Sequence, residues 1–236
     1  MSATLAITKR ELRTYFNSPV AYIVVTVFML LAGYLFWNTV FIERQAEMRG
    51  YFGLMPMLFT FIIPAITMRL LAEEKHTGTL ELLITMPIRD WEVVVGKFLA
   101  AVGLLAALLL LTMVYAITLA SIGPVDKGPA YGGFLGLLLM GSAYAAIGVM
   151  ASSLTRNQIV AFILAFAISF GLYLFGRVVQ IVPPALQPLV AFLSIDNHFE
   201  AISRGVIDSR DVFYYLSVIA ISLVVATVSL ESRKWK

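Results

Sequence analysis

The sequence predicts an all-α polytopic membrane protein with six transmembrane helices, built as one transmembrane domain over residues 1–236. Three observations carry that prediction. Apolar residues make up 60% of the chain and charged residues only 13%, whereas soluble domains carry about 25% charged residues and about 45–50% apolar ones even with glycine counted. Mean hydropathy is +0.90, and a soluble fold of this length has too little interior to hide so much apolar surface. Six charge-free runs are each long enough, at about 20 residues, to cross about 30 Å of hydrocarbon as a helix. The basic residues also divide unevenly between the two sides those runs define. A soluble enzyme, a nucleic-acid-binding domain and a disordered chain are excluded. Cysteine is absent, which removes disulfides, thiolate metal sites and thiol catalysis. The net charge of +3 fits basic loops facing the cytoplasm.

Residues 4–16 are expected to form a short amphipathic helix on the inner membrane surface. Leu5, Leu12, Tyr15 and Phe16 share one side at helical spacing. Lys9, Arg10 and Arg13 fall on an adjacent side, where they can meet anionic headgroups. Ile7 does not fit the apolar face. The competing reading is a basic topogenic flank. The first apolar run is too long for a signal-peptide core and no small-residue cleavage site follows it, so the first span is expected to be retained.

The spans are assigned to residues 20–42, 51–70, 96–121, 131–154, 158–177 and 211–231. Backbone groups in lipid must be satisfied internally, so helix is the default for each. A further charge-free run, Val178 to Ile195, contains Pro183, Pro184 and Pro188. Prolines this dense break an isolated helix, so 178–208 is assigned to outer re-entrant or interfacial helices. Six spans put both termini on one side. That side holds Lys9, Arg10, Arg13, Arg69, Lys75, Arg89, Lys97, Arg156, Arg233, Lys234 and Lys236. The other holds Arg44, Arg49, Lys127, Arg177, Arg204 and Arg210. Eleven against six places both termini in the cytoplasm.

The connection from Arg69 to Lys97 is the longest on the inner side, with its ordered part at 73–92. Glu73, Glu74, Lys75 and His76 form a charged cluster below the second span, and Thr77-Gly78-Thr79 breaks the chain. Thr79 can cap a short helix containing Leu80, Leu82 and Leu83, with Glu81 near its positive end. Pro87 stops that helix, and Asp90 can cap the next, with Glu92 in its first turn, running into the third span. A short helix held between two spans suits a lever for a soluble partner. The plainer reading is a solvated connector, but connections in compact helical proteins are usually shorter.

In the fourth span Gly141, Ala145, Gly148 and Ser152 share one face. Small residues let helices approach closely in lipid. The stripe fits a neighbouring span or a second subunit. In the outer connection Asn197 and Glu200 have capping-box spacing, Gly205 follows Arg204 as a helix stop, and Asp208 can cap the sixth span. That makes His198 to Arg204 a short outer helix.

No charge lies deep in a span, which argues against a proton-coupled pump or an ion channel. His76 and His198 fall on opposite sides and are expected to be solvated, not metal ligands. No nucleophile and base face each other within the bundle. No phosphate-binding loop of the G-x-x-x-x-G-K-[ST] type occurs, because Gly96-Lys97 lacks the upstream glycine and the following hydroxyl. Any ATP site must therefore reside on another polypeptide.

The stretch Glu73 to Leu83, with Pro87, Asp90-Trp91-Glu92 and Gly96-Lys97, resembles the cytoplasmic segment of ABC-2 type transporter permeases. Gly148 and Ser152 to Gln158, followed by Ala161, resemble that family's junction of spans four and five. His198-Phe199-Glu200, Arg204 to Asp208 and Asp211 are similar to its outer loop. Thr8 to Leu12 and Tyr15 to Pro19 are most similar to gliding-motility-associated (GldF-like) permeases. The resemblance implies an ABC-2 exporter-type fold in a bacterial inner membrane. It further implies a second permease chain, identical or related, and two copies of a cytoplasmic ATPase subunit that binds ATP and magnesium, with no cofactor in this chain. A periplasmic auxiliary subunit and membrane lipids are compatible partners; nucleic acid is not. The family's coupling helix corresponds to Thr79–Met86 and its connecting helix to residues 4–16. Glu73, Glu74 and Glu81 are then expected to make polar contacts with the ATPase, and Leu80, Leu83 and Met86 an apolar knob, with Thr79 and Arg89 flanking it. The leading expectation is an ATP-coupled permease. The rivals are a non-transport subunit passing ATPase motion to a periplasmic protein, an intramembrane enzyme, and a passive assembly factor.

Overall fold

A computed structural model of the chain describes residues 3–42, 48–79, 88–122 and 126–232. Among the described residues every regular element is helical: α1 (Ala3–Asn17), α2 (Pro19–Trp37) with a π-helical turn (Asn38–Ile42), α3 (Arg49–Thr67), α4 (Arg69–Thr77), α5 (Asp90–Ile122), α6 (Lys127–Leu154), α7 (Gln158–Val178), α8 (Gln187–Leu193), α9 (Ile195–Ser203) and α10 (Ser209–Glu231). Six stretches are long and apolar enough to cross a membrane: Ala21–Val40, Gly50–Thr77, Asp90–Ser121, Gly128–Leu154, Gln158–Val178 and Ser209–Glu231. The all-α, six-span class expected from the sequence is therefore the observed one.

Helix α6 is the hub. Of its membrane-spanning window 78% is buried, against 22% for α2, α7 and α10, so those three present most of their surface to lipid or to partners. Burial of apolar surface does not drive helices together inside a bilayer, and close contact must do so instead. Glycines on α6 make the contact possible. A Cβ on Gly148 would stand 1.9 Å from Thr67 Oγ1, and one on Gly141 would stand 2.5 Å from Leu105 Cδ2. These notches seat α3 and α5. In the other half of α6, a Cβ on Gly132 would stand 2.3 Å from the Ile202 carbonyl oxygen, and one on Gly136 would stand 2.9 Å from Phe199 Cδ2. These seat α9.

The helix boundaries follow local chemistry. Asp126, Asn157 and Asp208 cap α6, α7 and α10, accepting from Gly128 N–H, from Ile159 and Val160 N–H, and from Arg210 N–H respectively. Gly78 (φ 74°) ends α4 in the left-handed region that glycine alone enters without strain.

Four sequence expectations are corrected. The charged stretch after the second span is the helix α4, following a break at Met68, not the start of a loop. Asp90 lies inside the first turn of α5, and Glu92 reaches back to accept from the Arg89 N–H at 3.0 Å. The outer helix α9 begins at Ile195 and is capped by Ser194, which accepts from the Asn197 N–H, so Asn197 is a first-turn residue and not the cap. Glu200 pairs instead with Arg204 one turn on. The fourth correction concerns α1. Its buried residues are Ile7 and Tyr15, while Leu5 is 54% and Phe16 45% exposed. Ile7, the residue outside the expected apolar face, is the one that packs: a Cβ on Gly96 would stand 2.9 Å from its side chain. Leu12 lies likewise against Gly103. Helix α1 therefore follows α5, and a lipid surface is not its only support.

Candidate functional site

The end of the bundle that carries α1 gathers the chain's densest set of charges among the described residues. Three helices build it. Helix α1 supplies Arg10 and Glu11, α4 supplies Glu73 and Glu74, and α5 supplies Lys97. The glycine at position 96 brings α1 close enough for the Thr8 hydroxyl to donate to the Gly96 carbonyl at 3.0 Å. That contact places Glu11 over Lys97. The Lys97 ammonium, 1% exposed, lies 3.1 Å from Glu11 Oε1 and 2.8 Å from Glu74 Oε1. Arg10 Nη2 reaches the same two oxygens at 2.8 and 3.1 Å from the solvent side. Two cations thus hold two carboxylates that belong to different helices. Burial alone would push the Glu11 carboxyl up, but the charges of Lys97 and Arg10 and their hydrogen bonds outweigh it and hold it below the ordinary carboxylate range. Arg69 and Glu73, 2.9 Å apart and four residues apart on α4, form a separate pair at the rim.

Tyr15 completes the docking of α1. It is buried, and its hydroxyl donates to the Ile66 carbonyl at 3.0 Å. Burial pushes this phenol well above its ordinary value, so it remains a neutral donor. Between α1 and α4 lies a cleft of about 430 Å³, walled by Arg10, Glu11, Glu73, Glu74 and Lys97 and by the hydroxyls of Thr14, Thr77 and Thr79.

The other side of α4 rests on the last turn of α6. Ser152 is fully buried and bonds to the α4 backbone at Leu71 and Ala72. Lys75, also buried, donates to the Ser153 carbonyl. The stripe Gly141, Ala145, Gly148 and Ser152 therefore faces α3, α4 and α5 of its own chain.

The residues expected to meet an ATPase separate into groups. Glu74, with 18% of its side chain exposed, bonds to Lys97 and Arg10 inside the cluster. Glu73 is at the rim with 40% exposed. Thr79 and Arg89 are exposed at the same end of the bundle. Leu80, Glu81, Leu83 and Met86 lie outside the described residues. Lys9 and Arg13 are exposed on α1, whereas Arg10 is drawn into the cluster.

A family model described as ABC-2 family transporter protein matches residues 39–228. This chain belongs to the ABC-2 transporter family. It is the permease component of an ABC transporter and a multi-pass membrane protein, of a family whose membrane domain has no ATP site of its own. No curated protein matches the chain. The match includes α4, α5 and their half of the charged cluster, and begins after α1.

The ABC-2 permease has a second organised region at the far end of the bundle, where α8 and α9 meet α10. Two carbonyls flanking Ser194 at the α8–α9 junction receive side chains: Tyr214 donates to the Leu193 oxygen at 2.7 Å and Tyr215 to the Ile195 oxygen at 2.9 Å. His198 Nε2 lies 3.0 Å from the Phe192 oxygen, its Nδ1 lies 2.6 Å from Asp211 Oδ1, and its ring stacks on Tyr214. The expectation of a solvated His198 is thereby corrected. Sequence reading missed Lys97, Glu11 and Tyr15 in the first region and Asp211 in the second. Lys97, beside Gly96, and Asp211 carried the signal of a charge at a span end; Glu11 and Tyr15 carried none, because their partners come from distant parts of the chain.

Proposed function

We propose that this chain is the membrane subunit that receives the motion of a separate, ATP-hydrolysing subunit and converts it into export or conformational change across the inner membrane. One observation carries the reading. Residues 79–89 connect α4 to α5 in the chain, the two helices that the Lys97–Glu74 pair ties together and α1 braces. A push on that segment loads both spans at once. ATP and magnesium would sit in the partner, present in two copies against a pair of permease chains, with both termini on the cytoplasmic side. Residues 79–86 are the proposed coupling helix. Glu73 and Glu81 are its polar contacts, and Leu80, Leu83 and Met86 its apolar knob. Rigid-body displacement of packed helices is an established mode of such coupling. The N-terminal similarity supports a gliding-type permease within the family.

The test is co-purification with the proposed ATPase subunit. Glu73→Lys combined with Glu81→Lys should weaken assembly and abolish coupled turnover while the permease still folds. Full assembly and turnover in that variant would overturn the contact assignment.

The far-end structure favours a second reading, in which motion passes to a periplasmic auxiliary subunit and no cargo crosses. It rests on the bonding of α8 and α9 to α10, which gives that end a surface able to move as one piece. Reconstituted vesicles separate the two. ATP-dependent flux of any cargo supports export, and far-end movement without flux supports transmission.

A further inference from the structure

Ser152 does more than leave room for a neighbour. Its hydroxyl accepts from the Leu71 N–H at 3.0 Å and the Ala72 N–H at 2.9 Å, and donates to the Met68 carbonyl at 2.8 Å. Leu71 lies in the first turn of α4, where amides have no partner within the helix, and Ala72 follows it directly. The helix's own N-cap, Met68, makes no side-chain bond. The start of α4 is therefore capped by a residue of another helix, more than eighty positions away in sequence for Leu71. One residue further on, the Ser153 carbonyl accepts from Lys75 of α4 and, at 2.8 Å, from the Ser229 hydroxyl of α10. The last turn of α6 thus binds α4 on one side and α10 on the other.

We propose that Ser152 is a positioning residue that fixes α4 to α6, so that displacement of α4 is delivered to the α6–α10 pair. This rests on the reading of α4 as part of the arm that an ATPase moves. Without the cap, the break at Met68 is a place where the start of α4 can swing, with the Lys75–Ser153 bond still holding its far turn to α6. The Lys97–Glu74 pair ties α4 only to α5 and cannot replace this link. The arrangement gives the last turn of α6, through the Ser152 hydroxyl beside the Lys75–Ser153 bond, control over which spans follow the arm. Alanine is smaller than serine, so Ser152→Ala removes all three bonds without adding a clash.

The natural sequence has no cysteine, so paired spin labels report cleanly. Labels at His76→Cys and Arg156→Cys read the distance between α4 and the end of α6, and labels at Trp91→Cys and Glu231→Cys read α5 against α10; all four positions are exposed. In the nucleotide-free protein, Ser152→Ala should broaden the 76–156 distribution and speed amide exchange at Leu71 and Ala72 about tenfold, as expected for lost hydrogen bonds. Ser152→Thr, which keeps the hydroxyl, should restore both. In the complex with its ATPase, Ser152→Ala should hydrolyse ATP at the wild-type rate while the ATP-driven change in the 91–231 distance falls by about half or more. A purely structural role would lower the melting temperature and leave that change intact. A wild-type 76–156 distribution in Ser152→Ala, or an undiminished 91–231 change, overturns the proposal. A wild-type protein with no ATP-driven 91–231 change overturns the ATPase reading instead, and the nucleotide-free measurements then decide whether Ser152 fixes α4 to α6.

Discussion

Replacing Lys97 by methionine should release α1 from the bundle. Methionine has nearly the shape of lysine and keeps the buried packing, so the variant isolates the charge. The ammonium is 1% exposed and lies within 3.1 Å of two carboxylates whose side chains are only 12% and 18% exposed. Removing one partner of a buried ion pair costs about 3–5 kcal/mol, because the other charge is left uncompensated. Here the carboxylates keep some solvent and the half-exposed Arg10 still reaches both, so the expected loss is about 2–3 kcal/mol. For a chain of this length that corresponds to a fall of about 4–12 °C in melting temperature. Amide exchange across residues 7–15 should rise in parallel, since Glu11 is the α1 group that loses its partner. The acid dependence has a defined sign. The folded Glu11 carboxyl sits below the ordinary range, so its contribution is complete above that range and is lost as pH falls through the lower folded value. Wild-type α1 should therefore stay docked to below the ordinary carboxylate range, and Lys97→Met should shift its release upward. A Lys97→Met protein that melts at the wild-type temperature with full protection of 7–15 would refute the reasoning.

Gly148→Ala should destabilise by about 2–3 kcal/mol through overpacking, because its Cβ would overlap Thr67 Oγ1. Combining it with Thr67→Ala should recover only part of the loss in a thermal melt, since the Thr67 Cβ itself lies 2.7 Å from the same point. His198→Phe should leave the buried Asp211 without its ring partner and cost about 2–4 kcal/mol. Asp211→Asn in the same chain should return most of that, and amide exchange over residues 187–203 is the measurement. Gly205→Ala, which forces a Cβ onto a backbone at φ 87°, should cost about 1–2 kcal/mol and fray the end of α9, visible as faster exchange at residues 203–206.

The spans were legible because each is long, apolar and free of charge, a signal that depends on length and composition alone. Caps written within a few residues, such as Asp208, were legible for the same reason. Ser194 was not, because Asn197 three residues later offered a better-looking capping box. The greater loss was at contacts between distant segments. Ile7 failed a single-helix face test because that test assumes one surface, the membrane, while the glycine notch at position 96 creates another. The Gly96-Lys97 pair was weighed as a broken phosphate loop and as part of the family resemblance, not as a contact. Its real structural role, a notch followed by a buried cation, needs Glu11 from 86 positions away. Glu74 was judged by its place in a charged run, where exposure is the usual outcome, and the partner that buries it lies on another helix.

The two ends of the permease are held by different chemistry, and the difference bears on how motion crosses the bundle. At the α1 end, carboxylates and cations share oxygens, so partners can be exchanged as α4 shifts without leaving a charge alone. At the far end, backbone carbonyls take donors from rigid aromatic side chains, and loss of any one leaves a buried acceptor unsatisfied. An exchangeable network suits the side that receives a push, and a fixed one suits the side that must move as a unit. Helix α10 joins them. It is bonded to α6 through Ser229 and Ser153 at one end and to α9 through Asp211 and His198 at the other. Its length of about 35 Å matches the thickness to be crossed. A helix fastened at both ends needs no repacking between them to carry a displacement, so under the proposed coupling α10, for all its lipid-facing surface, is the mechanical line between the two sites.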